Sequence, residues 1–297
     1  MRIADVVAKT DTGRKRRRNE DAYVSRPPLF AVADGMGGAR AGEVASSLAA
    51  TAVKAAEEGS SGRERVAALI QEANRRIYQR SSEDADVAGM GTTMTVALVE
   101  DSTVTFGHVG DSRAYILRDG SLEQLTDDHS LVAELVRGGK LSPEEAEHHP
   151  QRSVITRALG TDPDVDVDTF IVDAESGDIF LLCSDGLTDM LGDAQIVEVL
   201  TGRKSLDDAA KELIKLANKA GGEDNITIVA FELTDEPEER TVEQTRPLPA
   251  VGDEEDTLDE FDAVPVVEEP EPRGRRRRWP FVLLLVVAAI LVWVVMR

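Results

Sequence analysis

The chain has 297 residues, enough for a full hydrophobic core and for one or two domains. Its formal net charge of −22 argues against nucleic acid as the main partner. Cys183 is the single cysteine, which excludes a disulfide framework and fits a reducing compartment. We expect no signal peptide, because Met1-Arg2-Ile3 leads directly into mixed polar sequence.

Residues 1–234 have the pattern of a globular α+β domain. Apolar residues at helical spacing predict helices over 41–58 and 63–80, and Ser205 with Asp208 forms a capping pattern at the start of a helix that Gly221 ends. A polar stretch over 131–150 predicts a small helical excursion. Strands are expected over 4–11, 29–33, 92–100, 103–110, 113–120, 178–186 and 225–233. Because several strands follow one another directly and helices come in blocks, we expect antiparallel sheets.

The C-terminal part has a different composition. Residues 236–272 carry 14 acids and 2 arginines, and six prolines occur over 235–278, which predicts an acidic disordered linker that ends in an arginine cluster. Residues 279–296 contain no charge and would span roughly 27 Å as a helix, which predicts a transmembrane helix. Five arginines precede this segment and Arg297 alone follows it, so residues 1–278 are expected in the cytoplasm, anchored to the cell membrane by a single pass.

An acid and several glycines follow the buried strand over 29–33. Asp34 ends the apolar run, and the next eight residues contain Gly35, Gly37, Gly38 and Gly42. Taken alone, this pattern is most typical of a plain turn. A dinucleotide-binding loop is excluded because arginine stands where G-x-G-x-x-G requires its third glycine. A carboxylate beside a bare backbone carbonyl suits a hard cation better than a phosphate, because both groups are oxygen ligands.

The same arrangement recurs at other strand ends. Asp111 follows one predicted strand, Asp185 follows another, Asp224 precedes the last, and Glu20 and Asp21 come after a basic run. If these ends converge, their carboxylates repel one another and must protonate or share cations. With one cysteine and four histidines, zinc is disfavoured, and an all-oxygen site indicates Mg²⁺ or Mn²⁺.

The sequence resembles the PPM family (type 2C) of metal-dependent protein Ser/Thr phosphatases, in particular its bacterial branch. The resemblance covers nearly all of residues 1–234. It is carried, in family order, by TDTGRKRRRNEDAY (10–23), VADGMGG (32–38), MGTTMTVALV (90–99), GHVGDSRAYILRDG (107–120), LTDDHSLV (125–132), HPQRSVITRALG (149–160), LLCSDGLTD (181–189) and GGEDNITIVAFEL (221–233).

The resemblance implies an αββα four-layer sandwich of two antiparallel sheets flanked by helices, with a metal centre at one edge. It implies that Asp34 bridges two Mn²⁺ or Mg²⁺ ions and that the Gly35 carbonyl binds one of them. The remaining ligands are implied in the same way: Asp185 and Asp224 at the first ion, Glu20 at the second with Asp21 in support, and Asp111 with Ser153 at a third. Arg16 would grip the phosphate, and 131–150 would be a flap beside the site.

The activity implied is hydrolysis of phosphoserine and phosphothreonine by a metal-bridged hydroxide that attacks phosphorus directly. Met36 departs from the eukaryotic pattern, which has a histidine acid there, but it matches bacterial members, and we expect metal-bound water to be the acid. A cysteine-dependent phosphatase is excluded because Asp189 stands where Cys-x5-Arg requires arginine. Cys183, in an apolar strand, is expected to be a buried structural thiol.

Other interpretations remain open from the sequence. A pseudophosphatase would bind phosphoproteins without hydrolysis, although the acids Asp34, Asp185 and Asp224 argue against it. A metal-dependent nuclease is disfavoured by the negative charge. The basic run 14–18 also fits a solvated loop or a patch for nucleic acid or acidic lipid. The expected partners are phosphorylated proteins and, by family analogy, membrane Ser/Thr kinases. We expect a monomer.

Overall fold

The structure is a computed structural model that describes residues 1–37, 41–55 and 61–235. Within these ranges, no helix has the length and apolar character needed to cross a membrane. The predicted linker, apart from residue 235, and the predicted transmembrane helix over 279–296 lie outside the described residues. The predicted division of the chain at residue 234 therefore stays a prediction.

Strands and helices alternate along the described chain in blocks. The strands are β1 (Arg2–Asp11), β2 (Asp21–Arg26), β3 (Leu29–Met36), β4 (Gly91–Thr92), β5 (Met94–Glu100), β6 (Thr103–Val109), β7 (Arg113–Arg118), β8 (Ser121–Gln124), β9 (Asp168–Asp173), β10 (Ile179–Cys183) and β11 (Ile226–Thr234). The helices are α1 (Ala41–Lys54), α2 (Gly62–Glu83), α3 (Leu131–Arg137), α4 (Pro143–Glu147), α5 (Asp185–Thr188), α6 (Asp193–Thr201) and α7 (Leu206–Ala220), with a 3₁₀ turn over Ala85–Val87.

Two antiparallel sheets form the centre of the molecule. The first has the strand order β1-β11-β10-β7-β8, and the second has the order β2-β3-β5-β6-β9, with β4 paired to β3. Every pairing in both sheets is antiparallel. Helices α1 and α2 pack on the second sheet, whereas α7 packs on β1 and β11 of the first and α6 packs on β8. The expected αββα sandwich is therefore confirmed for the described residues.

Three apolar layers hold the sandwich together. One lies between the second sheet and α1 and α2, and another lies between the first sheet and α6 and α7. The central layer, between the sheets, contains a row of aromatic rings in which Phe30 stacks on Phe231 with ring centres 4.3 Å apart, and Phe180 lies 5.2 Å from Phe231. These rings come from both sheets, so burial of their faces fixes one sheet against the other.

The observed elements agree closely with the expected ones where the apolar pattern is strong. Strand β10 is completely buried, as its uninterrupted apolar run predicts, and α7 begins where Ser205 Oγ accepts the Asp208 N–H at 3.1 Å. Two short helices lie within the expected excursion over 131–150. Three strands, β2, β8 and β9, were not predicted. Each lies at a sheet edge and mixes polar with apolar residues. Pairing with the neighbouring strand, rather than the residue pattern of the segment itself, therefore determines its conformation.

Candidate metal-dependent active site

One end of the sandwich contains a polar pocket of about 460 Å³, and every site residue predicted from the sequence lines it. The predicted residues come from separate segments of both sheets and from the loops between them. They are Arg16, Glu20, Asp34, Gly35, Asp111, Ser153, Asp185 and Asp224. The structure thus brings all eight together, while their individual roles stay predictions.

Asp34 lies near the end of β3, and two threonines fix its backbone. The Asp34 N–H donates to Thr93 Oγ1 at 2.9 Å, and the Thr93 N–H donates back to the Asp34 carbonyl at 2.9 Å. Thr92 Oγ1 donates to the same carbonyl at 2.7 Å. Because both sides of the peptide are held, the carboxylate projects from a rigid strand end rather than from a mobile loop.

Gly35 lies where three backbone segments meet, which accounts for the missing side chain after Asp34. Its N–H donates to the Glu20 carbonyl at 3.1 Å, and a Cβ at this position would overlap the carbonyl oxygen of Gly42. A Cβ on Gly42 would in turn lie 2.6 Å from the Gly35 carbonyl oxygen. Glycine is required here for close approach, because the start of α1 passes directly over the end of β3.

Asp185 and Asp224 enter the pocket from the first sheet. Asp185 begins α5 directly after buried β10, and Asp224 lies two residues before β11. The Oδ1 atom of Asp185 is buried and accepts no hydrogen bond among the described residues. A Cβ on Gly186 would overlap the Asn225 carbonyl oxygen, so the two segments that carry these acids are in direct backbone contact.

Asp21 joins the two sheets beneath the pocket. It pairs with Asp34 across β2 and β3, while its Oδ2 accepts hydrogen bonds from Ser184 Oγ at 2.8 Å and Thr227 Oγ1 at 2.6 Å in the other sheet. Its Oδ1 is buried without a hydrogen-bond partner in the described ranges. Asp21 does not line the pocket itself, which fits the supporting position implied by the resemblance.

Asp111 and Ser153 also line the pocket. Asp111 follows Gly110, which forms the turn after β6. The φ of Gly110 is +111°, a conformation that glycine adopts readily because it has no side chain. Ser112 Oγ lies 2.7 Å from Thr93 Oγ1, and both hydroxyl groups are buried. This contact connects the turn that carries Asp111 to the threonine that holds the Asp34 backbone. Ser153 belongs to the segment that follows α4 and is exposed.

Arg16 binds a carboxylate of the pocket. Its Nη2 lies 2.5 Å from Asp224 Oδ2, and half of its side chain is exposed. The Asp224 Oδ1 accepts the N–H of Asn225 at 2.7 Å. Arg16, the residue predicted to bind phosphate, therefore contacts one of the predicted metal ligands from the exposed loop over 14–18.

The pocket strongly disfavours the charged form of several carboxyl groups. Asp34 faces the pocket and retains some solvent exposure, yet protein surrounds its carboxyl group, and this burial together with Asp21 and Asp185 raises its pKa well above the usual range. Burial and repulsion from Asp111 raise the pKa of Asp185 in the same way. Burial raises the pKa of Asp111 to about 6, with Asp128 the next contribution. Burial also raises the pKa of Glu20.

The residues present fit a divalent cation site by the chemistry of their donors. Asp185 carries a buried carboxyl oxygen without a partner in the pocket, and Asp21 carries another beneath it. These crowded acids have raised pKa values, and a hard cation would relieve both conditions. In the part of the chain that the structure describes, no three His, Cys, Asp or Glu side chains are already arranged as a closed metal site. Asp224, in particular, faces Arg16.

The pocket also contains residues that sequence reasoning did not assign to the site. They are Gly37, Arg152, Ile155, Gly186, Asp189, Met190 and Glu223. Arg152 and Asp189 approach each other to 4.0 Å across the mouth, and burial raises the pKa of Asp189. Both lie within the family motifs quoted above, yet neither stands at the tip of a buried strand, which was the signal used to select acids.

Comparison with known proteins identifies the family. Residues 13–227 match the family model described as protein phosphatase 2C. The chain is 43% identical over 239 residues to the serine/threonine phosphatase stp of Listeria innocua, covering 75% of this chain and 94% of that protein. The chain belongs to the protein phosphatase 2C family. It is a metal-dependent protein serine/threonine phosphatase that uses Mn²⁺ or Mg²⁺, as the sequence indicated.

Solved structures support the same assignment of this protein phosphatase 2C domain. The crystal structure of the Mycobacterium tuberculosis serine/threonine phosphatase PstP/Ppp superimposes with a TM-score of 0.74 at 40% identity, covering 78% of this chain and 99% of that chain. A structure of the catalytic domain of the serine threonine protein phosphatase PstP in complex with two manganese ions gives a TM-score of 0.73 at 38% identity, with the same coverage.

The contact of Gly35 with Gly42 generates a first prediction. Gly35→Ala should lower the free energy of unfolding by about 1–3 kcal/mol, because the added methyl group must push α1 away from the end of β3. It should also abolish most phosphatase activity, since Glu20 and Asp34 lie on either side of the displaced backbone. Urea unfolding and phosphopeptide hydrolysis measure the two effects. Gly192→Ala is the control, because open space surrounds Gly192, and it should cost less than about 1 kcal/mol.

Proposed function

We propose that the pocket holds two divalent cations through Glu20, Asp34, the Gly35 carbonyl, Asp185 and Asp224, with a third place at Asp111 and Ser153. The observation that supports this most directly is the convergence of acids from both sheets into one pocket, with raised pKa values at Asp34 and Asp185. In this arrangement Asp34, which projects between the two sheets, would be the ligand shared by both ions.

The substrates are phosphoserine and phosphothreonine side chains of proteins. When bound, the cations supply Lewis acidity that lowers the pKa of water toward neutrality and neutralise the charge of the phosphate. Water attacks phosphorus directly, the bond from phosphorus to the serine or threonine oxygen breaks, and inorganic phosphate and the free hydroxyl are released. The carboxylates act by holding positive charge at a fixed place, so rigid strand ends and glycine contacts are as necessary as the acids.

Arg16 binds the phosphate dianion in this proposal. A guanidinium offers paired donors that match two phosphate oxygens, and half of the Arg16 side chain is open to solvent at the mouth of the pocket. The ion pair between Arg16 and Asp224 bears on the order in which cations and substrate bind. A cation held by Asp224 would compete with Arg16 for that carboxylate, and the guanidinium would then be available to the phosphate of the substrate.

A pseudophosphatase would bind phosphate through Arg16 without hydrolysing it. The complete set of acids at the strand ends supports hydrolysis instead. A site that only binds phosphate gains nothing from a buried cluster of carboxylates, which repels the ligand unless cations neutralise it.

Replacing a single buried acid by its neutral amide should lower activity but raise the stability of the metal-free protein. Asp34→Asn or Asp185→Asn should lower kcat by at least about 100-fold, because each removes an anionic ligand. In the metal-free protein, however, each change should raise the free energy of unfolding at pH 7. The reason is that the folded-state pKa of both acids lies above the unfolded value, so the ionised form destabilises the fold at neutral pH. Chelator should abolish activity in the unsubstituted protein.

Asp178→Asn is the matched control for these two variants. Asp178 is also buried, with only 2% of its side chain exposed, but it pairs with Arg118 at 2.6 Å away from the pocket. Its replacement should lower stability and leave kcat unchanged. Retention of normal kcat by Asp34→Asn or Asp185→Asn would refute the proposed ligand set.

Arg16→Ala should raise the KM for a phosphopeptide by roughly tenfold with a smaller change in kcat, because the lost contact is made to substrate and transition state alike. Arg14→Ala and Arg17→Ala are controls from the same exposed loop and should change KM less than twofold. Equal effects at all three positions would indicate diffuse attraction of the substrate. A change confined to the Mn²⁺ requirement would show that Arg16 serves only to balance Asp224.

The C-terminal segment provides the basis for a proposal about location. We propose that residues 279–296 anchor the enzyme in the cell membrane with the phosphatase domain in the cytoplasm, close to membrane Ser/Thr kinases and their substrates. The supporting features are an uncharged run of 18 residues and the excess of arginines on its N-terminal side. The acidic composition over 236–272 supports a flexible tether between domain and membrane.

Cell fractionation tests this location. The full-length chain should sediment with membranes, whereas a chain that ends at Thr234 should appear in the supernatant and keep full activity, because β11, the last strand in chain order among the described residues, ends there. Full-length protein in the supernatant would refute the anchor. An unfolded or inactive truncated chain would refute the domain boundary.

A further inference from the structure

The loop over Thr12–Glu20, here called the phosphate loop, lacks helix or strand of its own, yet it carries both Arg16 and Glu20 into the pocket. It connects the end of β1 in the first sheet to the start of β2 in the second. The side chains over 14–18 are all basic and exposed, so mutual repulsion and hydration favour an open loop. Its conformation therefore depends on contacts made from outside the loop.

Asn225 supplies such contacts at both ends of the phosphate loop. Its Nδ2 donates to the carbonyls of Thr12 at 3.0 Å and Arg18 at 2.9 Å. Its Oδ1 accepts the N–H of Glu20 at 2.7 Å. Only 3% of Asn225 is exposed, so all three hydrogen bonds are shielded from water. One amide group thus uses both donor hydrogens and its acceptor on three different residues of the loop.

The same residue is tied to the metal side of the pocket. Asn225 follows Asp224, and its N–H donates to Asp224 Oδ1. Its carbonyl oxygen lies against Gly186, in the helix that Asp185 begins. The position of Asn225 is therefore fixed by the segments that carry two proposed metal ligands. Through its side-chain hydrogen bonds, Asn225 holds the phosphate loop in place relative to those segments.

We propose that Asn225 is a positioning residue that sets the distance between the phosphate-binding Arg16 and the metal centre by clamping the phosphate loop at Thr12, Arg18 and Glu20. This inference rests on the proposed roles of Arg16 and Glu20. Asn225 itself touches neither substrate nor metal. Its amide is the required group, because an alanine offers no donor or acceptor and an aspartate lacks both donors and would place charge against two carbonyl oxygens.

A double-mutant cycle between Asn225 and Arg16 tests the proposal. Asn225→Ala should raise the KM for a phosphopeptide roughly tenfold, as Arg16→Ala does, since a loose loop no longer presents the guanidinium. In the Arg16→Ala background, Asn225→Ala should raise KM less than about twofold, because the group it positions is already absent. Amide hydrogen exchange of Glu20, measured without substrate, should accelerate in Asn225→Ala.

Asn74→Ala is a matched control for loss of a buried clamp. Asn74 is fully buried and has the same bonding pattern, with Nδ2 donating to the carbonyls of Asp162 and Pro163 and Oδ1 accepting the Gly160 N–H. It holds a turn against α2, far along the chain from the phosphate loop. Its replacement should lower stability by a similar amount while KM and the Glu20 exchange rate stay unchanged.

The possible outcomes separate this inference from the proposed function. If Arg16→Ala leaves KM unchanged, the proposed role of Arg16 is wrong. If Arg16→Ala raises KM but Asn225→Ala does not, the positioning role is wrong. It is also wrong if Asn225→Ala multiplies KM equally with and without Arg16, or if Asn74→Ala raises KM to the same degree, because either result describes a general loss of stability.

Discussion

The crowding of carboxyl groups at one end of the sandwich is the constraint on which the rest of the structure depends. Burial and mutual repulsion raise the pKa of Asp34 and Asp185 well above the usual range, so their ionised forms act against folding. The remaining fold must hold these groups together in spite of that cost. The central layer of aromatic rings contributes by fixing one sheet on the other, and Asp21 contributes by accepting hydrogen bonds from Ser184 and Thr227 of the opposite sheet.

Each of the two sheets contributes different acids to the pocket. The second sheet provides Asp34 from the end of β3, and the first provides Asp185 after β10 and Asp224 before β11. Because β10 and β11 are antiparallel neighbours, the end of one lies beside the start of the other, and both acids reach the same edge. Glycine is needed at two close backbone contacts beside the pocket, where Gly35 lies against Gly42 at the start of α1 and Gly186 lies against the Asn225 carbonyl.

The sequence predicted the strong apolar elements and the acids at their tips, because both signals are local. A buried run such as β10 needs no information from distant residues, and an acid directly after it is visible by inspection. Edge strands such as β9 were missed because their pattern is set by pairing with a neighbour, here β6. Arg152 and Asp189 were missed as pocket residues for a related reason: their positions follow from tertiary contacts rather than from a place at a strand end.

Charge links the metal site to substrate selection. Residues 1–235 carry a net charge of −16, so a phosphorylated protein meets repulsion over most of the domain surface. The basic run over 14–18 provides the opposing field at the pocket mouth, but Arg16 is paired with Asp224. In the proposed function, this loop must be held close enough to the acids for Arg16 and the bound cations to contact one phosphate. Contacts to backbone atoms meet this requirement better than further ion pairs, because their geometry does not change when the charge of the pocket does.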